Sequence, residues 1–199
     1  NGSARLTNGG LEVDRVGWGS GVGEGTSIAN PNANTFLERK AGYYSTMASN
    51  GVGGNHADRG NGQDSDNNLV DWVKMTNSVD TPPKNSYNGF NDPGNWRENP
   101  VGYASCPATN TIPSHVVISR VDARATLREH IELYNPTCSD VSVAGWRIGG
   151  FASGASGGIA LPGGAKIPGH GYYLITITNG LNTINGVSVD YNAGIDSGC

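Results

Sequence analysis

Apolar and polar positions alternate along this chain in short runs of period two, and the runs gather in two blocks separated by a polar stretch. In the first block, Ala4-Arg5-Leu6-Thr7 and Leu11-Glu12-Val13-Asp14-Arg15-Val16 flank the turn Asn8-Gly9-Gly10, which predicts a β-hairpin. Thr35-Phe36-Leu37-Glu38-Arg39-Lys40 reads as a less regular strand. Residues 41–68 read as loop, and Leu69-Val70-Asp71-Trp72-Val73 as a short strand or anchor. In the second block, Val116-Val117-Ile118-Ser119-Arg120-Val121 is a β-branched run. His130-Ile131-Glu132-Leu133-Tyr134 alternates, placing Ile131 and Leu133 on one face, until Asn135-Pro136 breaks it. Val141-Ser142-Val143, Trp146-Arg147-Ile148 and Ile159-Ala160-Leu161 are shorter signals. Tyr172-Tyr173-Leu174-Ile175-Thr176-Ile177 is the strongest strand pattern of all.

Strand signals at this spacing, punctuated by Gly, Asn and Pro, predict an all-β antiparallel β-sandwich with long Gly/Asn-rich loops. The chain divides into strands and a polar loop over residues 1–80, a linker or long loop over 81–114, and strands over 115–199. The middle stretch is proline-dotted with isolated Tyr87, Phe90 and Trp96.

Composition agrees with this reading. There are 31 glycines but only 13 lysines and arginines among 199 residues, which suits turns and disfavours helices. A formal charge of −4 without a basic cluster argues against nucleic-acid binding. The apolar runs are too short for a helical membrane span. With no initiator Met and no signal-like apolar segment, the start at Asn1 is expected to belong to a processed or excised chain. Cys106, Cys138 and Cys199 lack metal-ligand spacing. In an exported protein two of them would pair, leaving the third free or bonded to another chain. Pairing Cys106 with Cys138 would contribute on the order of 3–4 kcal/mol and leave Cys199 at the chain end. Pairing of Cys199 with either of the others is equally open.

The second block resembles the opening half of a lamin tail domain, which has an immunoglobulin-like fold. The residues that carry this are Val117-Ile118-Ser119-Arg120-Val121, Glu129-His130-Ile131-Glu132-Leu133-Tyr134-Asn135-Pro136, Val143-Ala144-Gly145-Trp146-Arg147-Ile148, Ala160-Leu161-Pro162 and Gly171-Tyr172-Tyr173-Leu174-Ile175. His130 departs from the family, which carries an aromatic or aliphatic residue there. The first block resembles the closing half of the bacterial exported form. Here the matching residues are Val13-Asp14-Arg15-Val16-Gly17-Trp18-Gly19, Phe36-Leu37-Glu38-Arg39-Lys40 and the polar tail from Gly60 to Asp71-Trp72. The order is inverted. Reading from Asp190-Tyr191-Asn192-Ala193-Gly194 to Cys199 and on from Asn1 restores one uninterrupted domain.

The inversion implies a sandwich that must be completed, because missing strands leave an open edge and an apolar face. Residues 81–114, spanning on the order of 100 Å if extended, would allow a circular permutation closed within the chain. Completion by a neighbouring subunit or tandem repeat is favoured, giving head-to-tail strand exchange into a filament or surface layer. Leu6, Leu11, Val13, Val16, Tyr191 and Ile195 are the expected assembly interface, and copies of the chain the expected partners. The resemblance places the protein outside the cell or at its surface, in a prokaryote. The alternatives are a monomeric adhesion or binding module, and an accessory domain of a secreted hydrolase or nuclease.

No catalytic set is visible, and no enzymatic activity is expected. Asp64, Asp66, Asn68 and Asp71 form the best ligand-like cluster, with oxygen donors at alternating positions as calcium requires. The full twelve-residue calcium loop is absent, so an Asx-rich capping loop without metal is the competing reading. No other cofactor is expected. His56, His115, His130 and His170 are scattered and read as loop or surface residues. Gly19-Ser20-Gly21-Val22-Gly23-Glu24-Gly25 reads as a flexible loop, having neither a P-loop lysine nor a following helix. Glu129 and Glu132 are expected in surface ion pairs with Arg120, Arg128 or Arg39. Trp18, Trp72 and Trp146 are expected to pack in the core, leaving Trp96 as the one tryptophan available to an interface.

Overall fold

A computed structural model describes residues 1–57, 61–76, 83, 114–123, 129–150, 158–178 and 180–194. Strands β1 (Gly2–Asn8) and β2 (Leu11–Trp18) form the expected hairpin, with Asn8 opposite Leu11. Its two-residue turn is Gly9-Gly10, at φ +57° and +87°. Two successive left-handed residues are what a tight hairpin connection needs, and glycine adopts them without steric cost. Then follow β3 (Thr35–Arg39), α1 (Met47–Asn50), α2 (Asn68–Asp71) and β4 (Trp72–Thr76). The second block supplies β5 (Val117–Asp122), β6 (His130–Tyr134), β7 (Val141–Ser142), β8 (Arg147–Gly149) and β9 (Ile159–Ala160). It continues with β10 (Lys166–Ile167), β11 (Tyr172–Thr176), β12 (Thr183–Ile184), β13 (Val187–Ser188) and β14 (Tyr191–Asn192).

The protein is an all-β sandwich. One sheet has the order β2-β1-β8-β9 and the other β14-β11-β6-β5-β3-β4, with the small ribbons β10-β7 and β12-β13 beside them. Both blocks contribute to both sheets, side by side in each. β1 pairs antiparallel with β8, Leu6 facing Ile148, and β3 pairs antiparallel with β5, Leu37 facing Val121. Strands from the two ends of the sequence therefore pair in both sheets.

One core cluster fills the space between the sheets. Ala4, Leu6, Val16 and Ile148 come from the four-stranded sheet, and Leu37, Ile118, Ile131, Leu133 and Ile175 from the six-stranded sheet. Ile131 and Leu133 share the core face as expected, and Trp18 and Trp72 are buried with them. Trp146 packs half-buried against this core, while Trp96 lies outside the described residues.

Every residue of β3, β5, β6 and β11 is buried, so the six-stranded sheet is covered on both faces at its centre. Strands buried on both faces lose the clean alternation of a half-exposed strand, which is why β3 reads irregularly. Two expectations are corrected here. Residues 69–71 are helical rather than extended: the Asn67 side chain accepts from Leu69 N, and Asp71 accepts from Ser65 N and Asn67 N. Such a cap overrides the local apolar pattern. Arg39 and Arg120, expected in surface pairs, are both buried, as is Glu132. Arg120 pairs with Glu38 at 2.7 Å and lies over the Phe36 ring at 4.7 Å.

Candidate functional site

The charged side chains buried between the sheets meet where the two blocks join. Arg39, on β3, is fully buried and reaches across the sandwich. Its Nη2 donates to both carboxylate oxygens of Asp14, on β2, at 2.7 Å. Nε donates to the Ile118 carbonyl at 2.7 Å, and Nη1 to the Gln63 carbonyl at 3.0 Å and Asp64 Oδ1 at 3.2 Å. Those five contacts match the five N–H donors of a guanidinium, and the Trp72 ring lies 4.9 Å from its centre. Asp14 in turn accepts from Ile118 N, so one carboxylate ties β2 to both β3 and β5. A buried charge persists only when paired and hydrogen-bonded, and this one is saturated.

Glu24 and His115 complete the cluster. Glu24 Oε1 accepts from Arg15 N at 3.0 Å, while Oε2 is buried with no partner. One oxygen each of Asp14, Glu24 and Asp64 lie within 4.8 Å of one another. Burial pushes the Glu24 carboxyl up to about 8, helped by the negative charges of Asp14 and Asp64 and opposed by Arg39. Burial likewise raises Asp14 against the pull of Arg39. His115 Nε2 lies 3.3 Å from Asp64 Oδ2, and this contact raises His115. Asp64 is lowered: its own burial works in the other direction, and the bonds from His115 and Arg39 overcome it.

A proton on Glu24 is thus the cluster's means of relieving repulsion among three carboxyls. Because the folded-state pKa lies above that of a free glutamate, this group favours folding most below the free value. That contribution is lost as pH rises through about 8. Glu24→Gln, which cannot ionise, is expected to melt progressively above the parent protein as pH is raised from about 5 to about 9. A melting difference that stays flat across that range refutes the assignment.

Of the four positions expected to hold calcium, Asn68 and Asp71 are hydrogen-bonded to the surrounding loops. Asn68 Oδ1 accepts from Gly17 N at 2.8 Å and Glu24 N at 3.0 Å, and its Nδ2 donates to the Arg15 carbonyl. Asp71 accepts from Gln63 Nε2, Ser65 N, Ser65 Oγ and Asn67 N. Asp66 is exposed in a left-handed turn at φ +54°, and Asp64 faces Arg39. Only Asp64 belongs to the carboxylate group that the fold brings together among the described residues. Arg39 takes both Asp14 oxygens and one of Asp64, so a divalent cation in that group would compete with the guanidinium for those three contacts.

Asn68 also changes the reading of residues 19–25. A Cβ at Gly23 would lie 2.0 Å from Asn68 Oδ1, and one at Gly21 would lie 1.8 Å from the Gly2 carbonyl oxygen. These glycines allow close approach, and the segment is pinned rather than flexible, with Ile28 N donating to Gly17 O and Gly19 N to Ile28 O. Of the expected assembly residues, Leu6 and Val16 lie in the core, and Val13 and Tyr191 pack half-buried against it. Leu11 is 77% exposed, and Ile195 lies outside the described residues. Among the histidines, His56 Nδ1 bonds Ser45 Oγ at 2.8 Å, and His130 is buried 3.9 Å from Asp122.

The Arg39–Asp14 pair was not legible in the sequence, since nothing in isolated charges 25 residues apart marks them as partners. Comparison with known proteins gives no match to any family model, curated protein or solved structure.

Proposed function

We propose that the protein is a non-catalytic extracellular β-sandwich module of the lamin-tail kind, self-contained in one chain and acting through binding at its surface. The observation that carries this reading is the pairing of the two blocks in both sheets. With β1 against β8 and β3 against β5, the strands that an inverted order would leave unpaired find partners in their own chain. The carboxylates that sequence reasoning could recruit for acid–base work support it too. Glu38 is held by Arg120 on the outer face of the six-stranded sheet and Asp14 by Arg39 between the sheets, and all four are buried.

The head-to-tail filament uses the same seam. If residues 1–76 dock onto residues 114–194 of another copy, β1–β8 and β3–β5 form between chains with every contact kept, as in domain swapping. Light scattering on the eluting protein separates the two. A single monomeric species at micromolar concentration, unchanged by reduction, is the expected result. Stable higher species that persist on dilution would instead establish strand exchange and overturn the monomeric module.

A further inference from the structure

The described residues expose seven large apolar side chains, and four of these, Tyr43, Tyr44, Met47 and Val52, fall within ten consecutive positions. Tyr44 is 85% exposed and Tyr43 61%. Clustered apolar exposure on one loop marks an interaction site more strongly than the same residues scattered. The loop is also charge-free: residues 41–57 contain no Asp, Glu, Lys or Arg, in a chain where these make up 15%. Its composition of Tyr, Ser, Gly and Asn is that of adaptable recognition loops, in which Tyr gives rigid amphipathic contact at low entropic cost.

This loop is built, not slack. Asn50 is buried and donates from Nδ2 to the Arg39 carbonyl at 3.2 Å, anchoring α1 to the end of β3. Thr46 and Ser49 cap α1 reciprocally. Buried Ser45 bonds His56 Nδ1 at 2.8 Å and accepts from Gly42 N at 3.0 Å, and His56 N donates to Ser49 O at 2.9 Å. The two tyrosine rings brace each other edge to face, 5.1 Å apart with planes at 88°. Preorganisation of this kind lowers the ordering cost of binding.

We infer that the 41–57 loop is a binding platform for a neutral polysaccharide, whose sugar rings stack on Tyr43 and Tyr44. The partner must be uncharged, because the loop offers no ion pair to an anion or a cation. It must also present both apolar C–H faces and hydroxyls, which pyranose rings do and which suit tyrosine's apolar ring with its polar tip. An anionic membrane is disfavoured by the same lack of basic residues.

This inference rests on the reading of the chain as a non-catalytic binding module, and one experiment distinguishes their failures. The full chain is tested for co-sedimentation with amorphous cellulose, chitin, xylan, mannan and starch. Alginate and phosphatidylcholine vesicles serve as the charged and lipid comparisons, and released reducing sugar is measured in the same tubes. Retention on at least one neutral polysaccharide is expected, weakened about tenfold, equivalent to about 1.4 kcal/mol, or more in Tyr43→Ala/Tyr44→Ala. Leu11→Ala, an exposed apolar residue elsewhere, is expected to bind like the parent protein. Both variants should keep the parent melting temperature, since exposed substitutions change stability by only about 0.5 kcal/mol. Absence of binding to all five neutral polymers, equal binding to alginate or vesicles, or an unaffected double variant would overturn the inference. Release of sugar would overturn the non-catalytic reading while leaving the binding platform in place.

Discussion

Arg39→Met is expected to lower the unfolding free energy by about 3–5 kcal/mol, the range seen when one partner of a buried ion pair is removed. The methionine fills a similar volume, so the loss comes from charge rather than from a cavity. Asp14, Asp64 and Glu24 would then face one another without the guanidinium between them, and the Ile118 and Gln63 carbonyls would lose their donor. Chemical denaturation followed by tryptophan fluorescence reads the effect directly. A second variant guards against overinterpretation. Replacing both partners, Arg39→Met with Asp14→Leu, is expected to recover part of the loss, because an apolar pair of similar size is often tolerated where a lone charge is not. The recovery is incomplete because Ile118 N also loses its acceptor. A single-variant cost below about 1 kcal/mol, the value typical of exposed pairs, would sink the claim that this pair clamps the sandwich.

Removal of residues 1–8 is expected to abolish cooperative folding, a loss exceeding about 5 kcal/mol, the low end of total stability for a domain. β1 lies between β2 and β8, so its deletion unpairs an inner strand position rather than an edge. It also takes Ala4 and Leu6 out of the core, and a buried leucine alone is worth about 2–5 kcal/mol. The exposed slot is a template for an added strand. A synthetic peptide of residues 1–10 supplied in excess is therefore expected to restore the far-ultraviolet circular dichroism of the parent. A truncated protein that melts at the parent temperature would show that β1 is dispensable.

Much of the fold was legible in the sequence, and the reasons are local. The hairpin at Asn8-Gly9-Gly10 and the strand over 130–134 both follow from neighbouring residues, and both form, although β6 is buried on both faces rather than one. The helical turn at 68–71 was not legible, because its cap depends on Asn67 and its stability on Ser65 and Gln63 folding back onto Asp71. The site was the least legible part. Asp14 and Arg39 read as ordinary polar positions of their strands, and only the pairing of β3 with β5 brings Arg39 to Ile118 and across to β2. The Asx-rich segment read as a set of caps more readily than as a calcium loop, because no glutamate closes the calcium pattern. Backbone donors, which no side-chain pattern displays, bond Asn68 Oδ1 and Asp71 Oδ2.

The tip of the first hairpin offers a practical handle. A Cβ at Gly9 or Gly10 would touch nothing within 4 Å, and the adjoining Leu11 projects into solvent. Foreign sequence spliced between those glycines would extend away from both sheets, and each doubling of its length would cost only about 0.6 kcal/mol in closure entropy.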